Sequence, residues 1–361
     1  MIPANISTHR LHGMSLVELM VALTVGLIVL AAVSTVFVNS KSNYTTQESS
    51  ARLQESARFG MHFIARDLRL AGYYGCADDV PSINNLLQGG GGIPFDFTTS
   101  IEGSEGDTNT LYPSNVALTL PTSGTTVTPR IATCPNFVGG KCSGTDAFAV
   151  RMADPGSSAS MVVNMPNESA AVFLDPGHGL NVGEIVLLSD CGSAELFQIT
   201  NIQDGNGPTA GKKGIVHNAG SGTPGNINPA QFKRRFGPPN AQIMKFIHRV
   251  YYIGTGQSGH PALFRQGVDG SNRAELVDGI SNMQILYGYD TGGDRTPRAY
   301  LDANNGVLGS NKANWANVVS ARITLTARPA TNIGSGPQND PRDVEVDPKD
   351  FSTTVLLRNL Q

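Results

Sequence analysis

Charged side chains are scarce in this 361-residue chain, at 15% of the sequence. The 26 lysines and arginines are spread thinly along it, whereas nucleic-acid binding concentrates basic side chains in one patch. We therefore expect no nucleic acid as a partner. Apolar residues make up 40% of the chain, which is enough for a packed core and argues against disorder over its whole length.

Signatures of catalysis are missing as well. The sequence contains no G-x-S-x-G, H-E-x-x-H or G-x-x-x-x-G-K-[ST] string, and its seven histidines are scattered without the spacing of metal ligands. The sequence therefore predicts no enzyme and no cofactor. A membrane-anchored periplasmic binding protein or enzyme is a distant alternative, and it would require a convergent polar pocket that no motif indicates.

Metal-binding patterns are almost absent, and the string Asp290-Thr291-Gly292-Gly293-Asp294 comes nearest to one. A calcium loop supplies oxygen ligands at alternate positions. Here glycine stands where a third ligand is needed, and Arg295 replaces the usual glycine. We interpret the string as a plain acidic turn and predict no metal site, with Asp290 and Asp294 as the calcium candidates if that interpretation is wrong.

Cysteine is limited to four residues, and none of them forms a C-x-x-C pair. An even number of cysteines fits two disulfides in an oxidising compartment. Only seven residues separate Cys134 from Cys142, and they include two adjacent glycines, so a local bridge is the least demanding pairing. It leaves Cys76 to pair with Cys191. Four cysteines allow three pairings, and the other two stay open.

The N-terminal region holds the one long apolar run. Residues 1–13 are polar, with Arg10 as the only fixed charge, and Leu19 to Val38 are twenty residues without a charge. A run of that length spans a bilayer as a helix, and it exceeds the apolar part of a cleaved secretory signal. Glu18 stands at the start of this run, where a carboxylate costs about 3 kcal/mol on insertion and is normally retained for a partner or a function. An ordinary signal peptide or anchor explains the run less well.

The string from Gly13 to Leu19, GMSLVEL, resembles the type III leader of prepilins and pseudopilins. The resemblance implies that a prepilin peptidase cuts between Gly13 and Met14 and methylates Met14. It also implies that Glu18, the fifth residue after the cut, is an assembly contact that meets the amino terminus of a neighbouring subunit. Met14 departs from the phenylalanine that is more usual at this position in the family.

A second helical pattern follows the apolar run. Six residues recur at spacings of three and four and define one helical face: Leu53, Ala57, Met61, Ile64, Leu68 and Ala71. We expect this face to pack on the protein's own sheet, although a partner-binding helix would show the same pattern. No proline occurs between Leu16 and Gly72, and Gly72 is a plausible C-cap. One helix over this range would be about 85 Å long.

The remainder of the chain reads as strands and loops, since 41 glycines and 21 prolines favour a loop-rich β protein over a helical bundle. Short apolar or alternating runs predict strands over Ala147–Met152, Met161–Asn164, Ala171–Leu174, Glu184–Leu188, Ala194–Ile202, Ile243–Ile253, Met283–Tyr289, Val318–Thr326 and Thr353–Leu357. Long loops are predicted over Gln88–Thr110, Asp204–Gln231, Thr291–Asn314 and Pro329–Pro348.

These patterns predict an α+β, pilin-like fold, in which a long N-terminal helix packs on a large, loop-rich antiparallel β domain. We predict a cleaved leader over residues 1–13, a transmembrane and assembly helix over 14–72, and a periplasmic globular domain over 73–361.

Four later strings resemble the PilW family of minor pilins. They are Asp67 to Cys76, Ser189 to Cys191 with Phe197 to Thr200 soon after, Met283 to Asp290, and Thr353 to Asn359. Together with the leader, the resemblance runs over almost the whole chain.

The resemblance implies a minor pilin that assembles into or primes the tip of a type IV pilus and supports pilus biogenesis, twitching motility and adhesion. It implies a single-pass protein of the inner membrane that moves to the pilus tip at the cell surface. The implied partners are the prepilin peptidase, other minor pilins, the major pilin and a large tip adhesin. The alternative within the superfamily is a J-like minor pseudopilin of type II secretion.

Overall fold

The computed structural model describes residues 15–75, 83–91, 95, 97, 99–106, 110–112, 116–117, 137–138, 141–142, 144–220, 222–267, 272–309, 311–328 and 348–357. These residues fall into two compact units, one ending at Arg52 and the other beginning at Leu53. Each unit is described by itself.

The first unit consists of most of helix α1, which runs over Leu16–Leu70. The helix is long and apolar enough to cross a membrane, and no part of its most apolar stretch is buried against the described chain. Two threonine hydroxyls of its apolar part bond to the helix backbone, since Thr24 donates to the Val21 carbonyl and Thr35 to the Ala32 carbonyl. Such back-bonding satisfies a hydroxyl inside a lipid-facing helix.

The second unit begins with the last turns of α1, where the predicted apolar face is buried. Five of the six predicted members are buried, namely Leu53, Ala57, Ile64, Leu68 and Ala71, and Met61 is half-buried. Gly60 lies on the same face, and a Cβ built there would come within 3.2 Å of Leu263 and 3.3 Å of Leu325. The helix therefore packs closely on the domain's own strands, as predicted. It ends at Leu70, and Gly72 follows with a φ of +75°, a conformation that favours glycine after a helix.

Twenty strands follow among the described residues: β1 (Ile83–Asn85), β2 (Ile101–Ser104), β3 (Thr110–Leu111), β4 (Val116–Ala117), β5 (Phe137–Val138), β6 (Lys141–Cys142), β7 (Ala147–Ala153), β8 (Ala159–Ser160), β9 (Val172–Leu174), β10 (Ile185–Asp190), β11 (Ser193–Gln198), β12 (Asn201–Asp204), β13 (Lys213–Val216), β14 (Gln242–Thr255), β15 (Pro261–Gln266), β16 (Ala274–Asp278), β17 (Ile280–Tyr289), β18 (Ala299–Leu301), β19 (Val318–Ala327) and β20 (Lys349–Leu356).

The large sheet has nine strands and is built around β14. Its main path is β1-β11-β10-β14-β15-β16, while β7 and β8 also pair with β14 and β2 pairs with β7. Every pair is antiparallel except β1 with β11. The centre of the sheet is buried: all seven residues of β7 are buried, and six of them are apolar, while the seventh, Arg151, pairs with Glu102. A strand that is buried on both faces carries a nearly continuous run of apolar residues.

The C-terminal sheet has the order β18-β17-β19-β20 and is antiparallel throughout. Its inner face is buried and apolar, with Met283, Ile285, Tyr287, Ile323 and Leu325 as members. Strand β17 also contacts β14 and β15 of the large sheet. A three-stranded sheet, β12-β13-β9, and two hairpins, β3-β4 and β5-β6, complete the described strands. The structure thus has the predicted α+β organisation.

Two predicted strands are wrong in their bounds. The run Ala194–Ile202 is two strands, because Ile199 donates to Glu184 in the large-sheet region whereas Thr200 donates to Val216 of the small sheet. The chain changes sheets at this point. The run Met161–Asn164 is not a strand, since β8 ends at Ser160 and Met161 makes only an isolated bridge.

Three of the predicted loops also contain strands. Gln88–Thr110 contains β2, Asp204–Gln231 contains β13, and Thr291–Asn314 contains β18. These strands have three or four residues each, and the sequences IEGS and KGIV carry glycine, so their pairing partners and not their own residue pattern hold them extended. Strands β15 and β16 were not predicted either. Most of Pro329–Pro348 lies outside the described residues.

Candidate assembly site

Helix α1 begins with a reciprocal pair of hydrogen bonds. The backbone N–H of Glu18 donates to Ser15 Oγ at 3.2 Å, and the backbone N–H of Ser15 donates to Glu18 Oε2 at 3.0 Å. This is a capping box, in which Ser15 is the N-cap and Glu18 the third helical residue. The S-x-x-E spacing was available in the sequence, but the carboxylate was interpreted only as an intermolecular contact.

The capping box gives Glu18 a local role beside the predicted one. A helix N-terminus carries unpaired N–H groups and a partial positive charge, and a carboxylate there satisfies the first and complements the second. The predicted cleavage site, Gly13 and Met14, lies outside the described residues. The described chain therefore places a carboxylate three residues after Ser15, at the head of the apolar helix, and the contact with a neighbouring subunit stays a prediction.

The other end of α1 is fixed to the large sheet by a buried carboxylate that the sequence analysis missed. Asp67 is only 2% exposed. Arg249 Nη1 donates to both of its oxygens at 2.7 Å, and the Tyr251 hydroxyl donates to Oδ2 at 2.5 Å. Burial, with the Asp67 charge beside it, raises the pKa of Tyr251 well above its usual value, so the phenol stays a neutral donor.

A signal for this anchor existed in the sequence. Asp67 stands three residues after Ile64, on the apolar face of the helix, where an unpaired carboxylate would be costly. Such a position predicts a buried partner for the carboxylate. Arg249 and Tyr251 alternate on β14 and present their side chains on the same face of that strand. We refer to Asp67, Arg249 and Tyr251 as the helix anchor.

The chain leaves the helix along the same sheet. Gly72 N–H donates to the Arg151 carbonyl at 3.0 Å, and the Ala153 N–H donates to the Tyr73 carbonyl at 2.7 Å. Gly75 then lies against Ser189, since a Cβ built on it would be 3.2 Å from Ser189 Oγ. The chain just before Cys76 is therefore packed on the strand that leads into the turn at Cys191.

The cysteine pairing stays a prediction. Cys191 lies in the tight turn between β10 and β11 and is not a free thiol. Cys76 and Cys134 lie outside the described residues, and Cys142 is in β6. Only the neighbours of Cys76 and Cys191, Gly75 and Ser189, are seen in contact.

The calcium candidates are occupied by hydrogen bonds from their own loop. Asp290 accepts the backbone N–H groups of Gly292, Gly293 and Arg295 at 2.7, 3.1 and 2.7 Å. Asp294 accepts the N–H of Thr296 and pairs with Arg298, both on the loop that leads into β18. These carboxylates organise a turn, and the described residues contain no group of three or more His, Cys, Asp or Glu side chains that could hold a metal ion.

Comparison with known proteins yields two family matches. A model described as Type IV Pilus-assembly protein W matches residues 250–359, from the second half of β14 to just beyond β20. A model described as Prokaryotic N-terminal methylation motif matches residues 9–34, which include the leader string and the head of α1. No curated protein and no solved structure matches the chain.

The two matches confirm the resemblance predicted from the sequence. The strings from Met283 to Asp290 and from Thr353 to Asn359 lie within the first match. The strings from Asp67 to Cys76 and from Ser189 to Cys191 lie outside both matches. The family model therefore rests on the C-terminal sheet and the strands that lead to it.

Proposed function

Because the chain combines a Type IV Pilus-assembly protein W domain with a prepilin-type methylation motif, we propose that it is a minor pilin that assembles into or primes the tip of a type IV pilus. Pilus biogenesis, twitching motility and adhesion are the activities that this role supports. The matched family is a pilus-assembly component and not a known enzyme class.

The proposal rests mainly on the structure of helix α1. One helix starts at a capping box, continues without a charge from Leu19 to Ser40, and ends as a core helix of a β domain. An ordinary signal peptide has no such continuation, since it is shorter and is removed. The N-terminal part of this helix is apolar and exposed, and its C-terminal part is packed on the domain's own sheet. Such a helix suits a subunit that leaves the membrane to join a fibre.

The match to the methylation motif and the match to the pilus-assembly family support the following pathway. The prepilin peptidase removes residues 1–13 at the cytoplasmic side of the inner membrane, and the domain folds in the periplasm. The helix then enters the fibre beside other minor pilins and the major pilin, with a large tip adhesin as a further partner. Glu18 meets the positively charged amine of a neighbouring subunit, an attraction that gains strength in a low-dielectric setting.

The capping box permits an experiment that separates the two roles of Glu18. Glutamine serves as well as glutamate at the third position of a capping box, but it carries no charge. Glu18→Gln therefore keeps the bond from Ser15, whereas Glu18→Val removes both the bond and the charge. If the charge is the docking group, both variants remain membrane-inserted and processed, and both are poorly incorporated into sheared pili.

The measurement is an immunoblot of membrane and sheared-pilus fractions for wild type and the two variants. Wild-type incorporation of Glu18→Gln with loss for Glu18→Val would assign the residue to helix capping alone. Normal incorporation of both would remove Glu18 from the assembly role. A deletion strain separates the pilus from the secretion alternative, since loss of exoprotein secretion with intact pili and twitching would contradict the proposal.

A further inference from the structure

The large sheet has a gap beside its central strand. Strand β10 pairs with β14 only as far as Lys245, and β15 pairs with it from Val250 onward. Strands β7 and β8 follow one another along the opposite edge of β14. Among the described strands, none pairs with residues 246–249 at the edge on which β10 and β15 lie. The two neighbouring strands therefore separate at this point and leave the sheet open.

A cavity of about 370 Å³ lies at this gap. Its apolar walls include Phe95, Ile185, Phe246 and Ile247. The Phe95 ring also packs edge-on against His248, which lines the same cavity, with the ring centres 5.0 Å apart. Sites for small molecules are concave, are lined mainly by apolar and aromatic side chains, and begin at about this volume. The cavity thus has the size and the walls of a site for a small ligand.

Three basic side chains line the cavity, and two of them are already neutralised. Lys245 Nζ lies 2.8 Å from Glu184 Oε1, and Arg249 belongs to the helix anchor. Arg265 is half-buried and forms no ion pair with any residue that the structure describes, since its guanidinium lies over the Phe63 ring, 5.9 Å from the ring centre. A guanidinium presents a planar fork of N–H donors that matches a carboxylate. The cavity therefore carries one positive charge without a counter-charge.

The strand register places this charge beside the apolar wall. Arg265 lies directly opposite Tyr251 on β14, so its side chain is on the face of the sheet that carries Tyr251 and Arg249. Ile247 precedes Arg249 by two residues and is on the same face. A ligand on this face of the gap therefore meets an apolar side chain and the guanidinium together.

We propose that the gap between β10 and β15 binds a small organic carboxylate, whose carboxylate pairs with Arg265 and whose apolar part lies against the walls of the cavity. One uncompensated positive charge suits a ligand with one negative charge. No motif marks the site in the sequence, because its walls come from β10, β14, β15 and the segment before β2. Ligand binding at this site is additional to the assembly role proposed above and does not depend on which filament the protein joins.

Fluorine NMR of the full chain in phosphatidylcholine nanodiscs tests the site with 4-fluorobenzoate as the probe. Empty nanodiscs give the correction for uptake of the probe by lipid. We expect saturable binding with a Kd on the order of 1 mM, as for other ligands of this size. The uncharged 4-fluorobenzamide has the same shape, and it should bind at least about tenfold more weakly because it lacks the charge that pairs with a guanidinium.

Arg265→Gln removes the guanidinium and should weaken 4-fluorobenzoate binding at least about tenfold. Arg322→Gln is the matched control, because the Arg322 guanidinium also lies over an aromatic ring, that of Tyr300 at 3.8 Å, but on β19 and not at the cavity. This variant should keep the wild-type affinity.

The comparison of the two probes on the wild type is decisive even if no variant folds. Absence of saturable 4-fluorobenzoate binding, or equal affinity of the wild type for 4-fluorobenzoate and 4-fluorobenzamide, would overturn the proposal. A folded Arg265→Gln protein with wild-type affinity for 4-fluorobenzoate would overturn it as well, since the probe would then bind elsewhere.

Discussion

The helix anchor offers the sharpest test of how α1 is held to the domain. Replacing Asp67 with asparagine keeps the volume of the side chain but removes its charge. The change leaves the Arg249 guanidinium without its carboxylate and the buried Tyr251 hydroxyl with a weaker acceptor. Nothing else on the buried face of the helix changes, so the effect on stability reports the anchor alone.

The structure sets the size of this effect. Breaking a buried ion pair from one side costs about 3–5 kcal/mol, because the remaining charge is left uncompensated. Asp67 is fully buried, but the Arg249 side chain is 26% exposed and can regain some hydration. We therefore expect Asp67→Asn to lower the free energy of unfolding by about 3 kcal/mol, at the lower end of that range.

Urea unfolding of the full chain in detergent can be followed through Trp315, the only tryptophan, which is buried under the C-terminal sheet. Asp350→Asn is the control, since Asp350 is exposed and only accepts a hydrogen bond from Thr326. It should change stability by less than about 0.5 kcal/mol. If Asp67→Asn costs no more than this control, the anchor contributes no net stability and the reasoning from buried charge fails.

Three further predictions concern the leader, the cysteines and a buried histidine. Mass spectrometry of protein from cells with an active prepilin peptidase should find an N-terminus at methylated Met14, and an intact leader with Gly13 still attached would contradict it. Non-reducing peptide mapping should link Cys76 to Cys191, since the chain beside each is in contact, and any other partner for Cys191 would show this pairing to be wrong. Burial lowers the pKa of His217 from 6.5 to about 4, so stability is lost as pH falls below 6.5. In urea titrations from pH 7 to 5, the wild type should lose about 2 kcal/mol relative to His217→Phe, and parallel pH profiles would contradict the prediction.

The sequence predicted α1 well because the interactions that specify a helix are local. The apolar run, the spacing of Leu53, Ala57, Ile64 and Leu68, and the glycine after the last turn all lie within the helix or beside it. Backbone hydrogen bonds in a helix join residues four apart, so its period is visible in the sequence. Strands with long apolar or alternating runs, such as Ile243–Ile253 and Val318–Thr326, were also predicted, because such a run is itself visible in the sequence.

The sheets were harder to predict, because a strand's hydrogen bonds are made to distant residues. The run of apolar residues around Ile199 gives no sign that the chain leaves one sheet for another between Ile199 and Thr200. Strand β2 has no alternating pattern of its own, and all four of its residues are buried by pairing with β7 and by the packing around it. A short strand is held by its partners, and its sequence alone does not name them.

The sequence by itself determined that this protein has a membrane-length helix with a carboxylate at its head, and that the helix continues into a β domain. Only the tertiary structure decided what the buried charges do. Asp67 meets Arg249 182 positions away, and Glu102 meets Arg151 49 positions away. A buried carboxylate is stable only when it accepts hydrogen bonds or pairs with a cation. Folding brings these partners to it from remote segments of the chain.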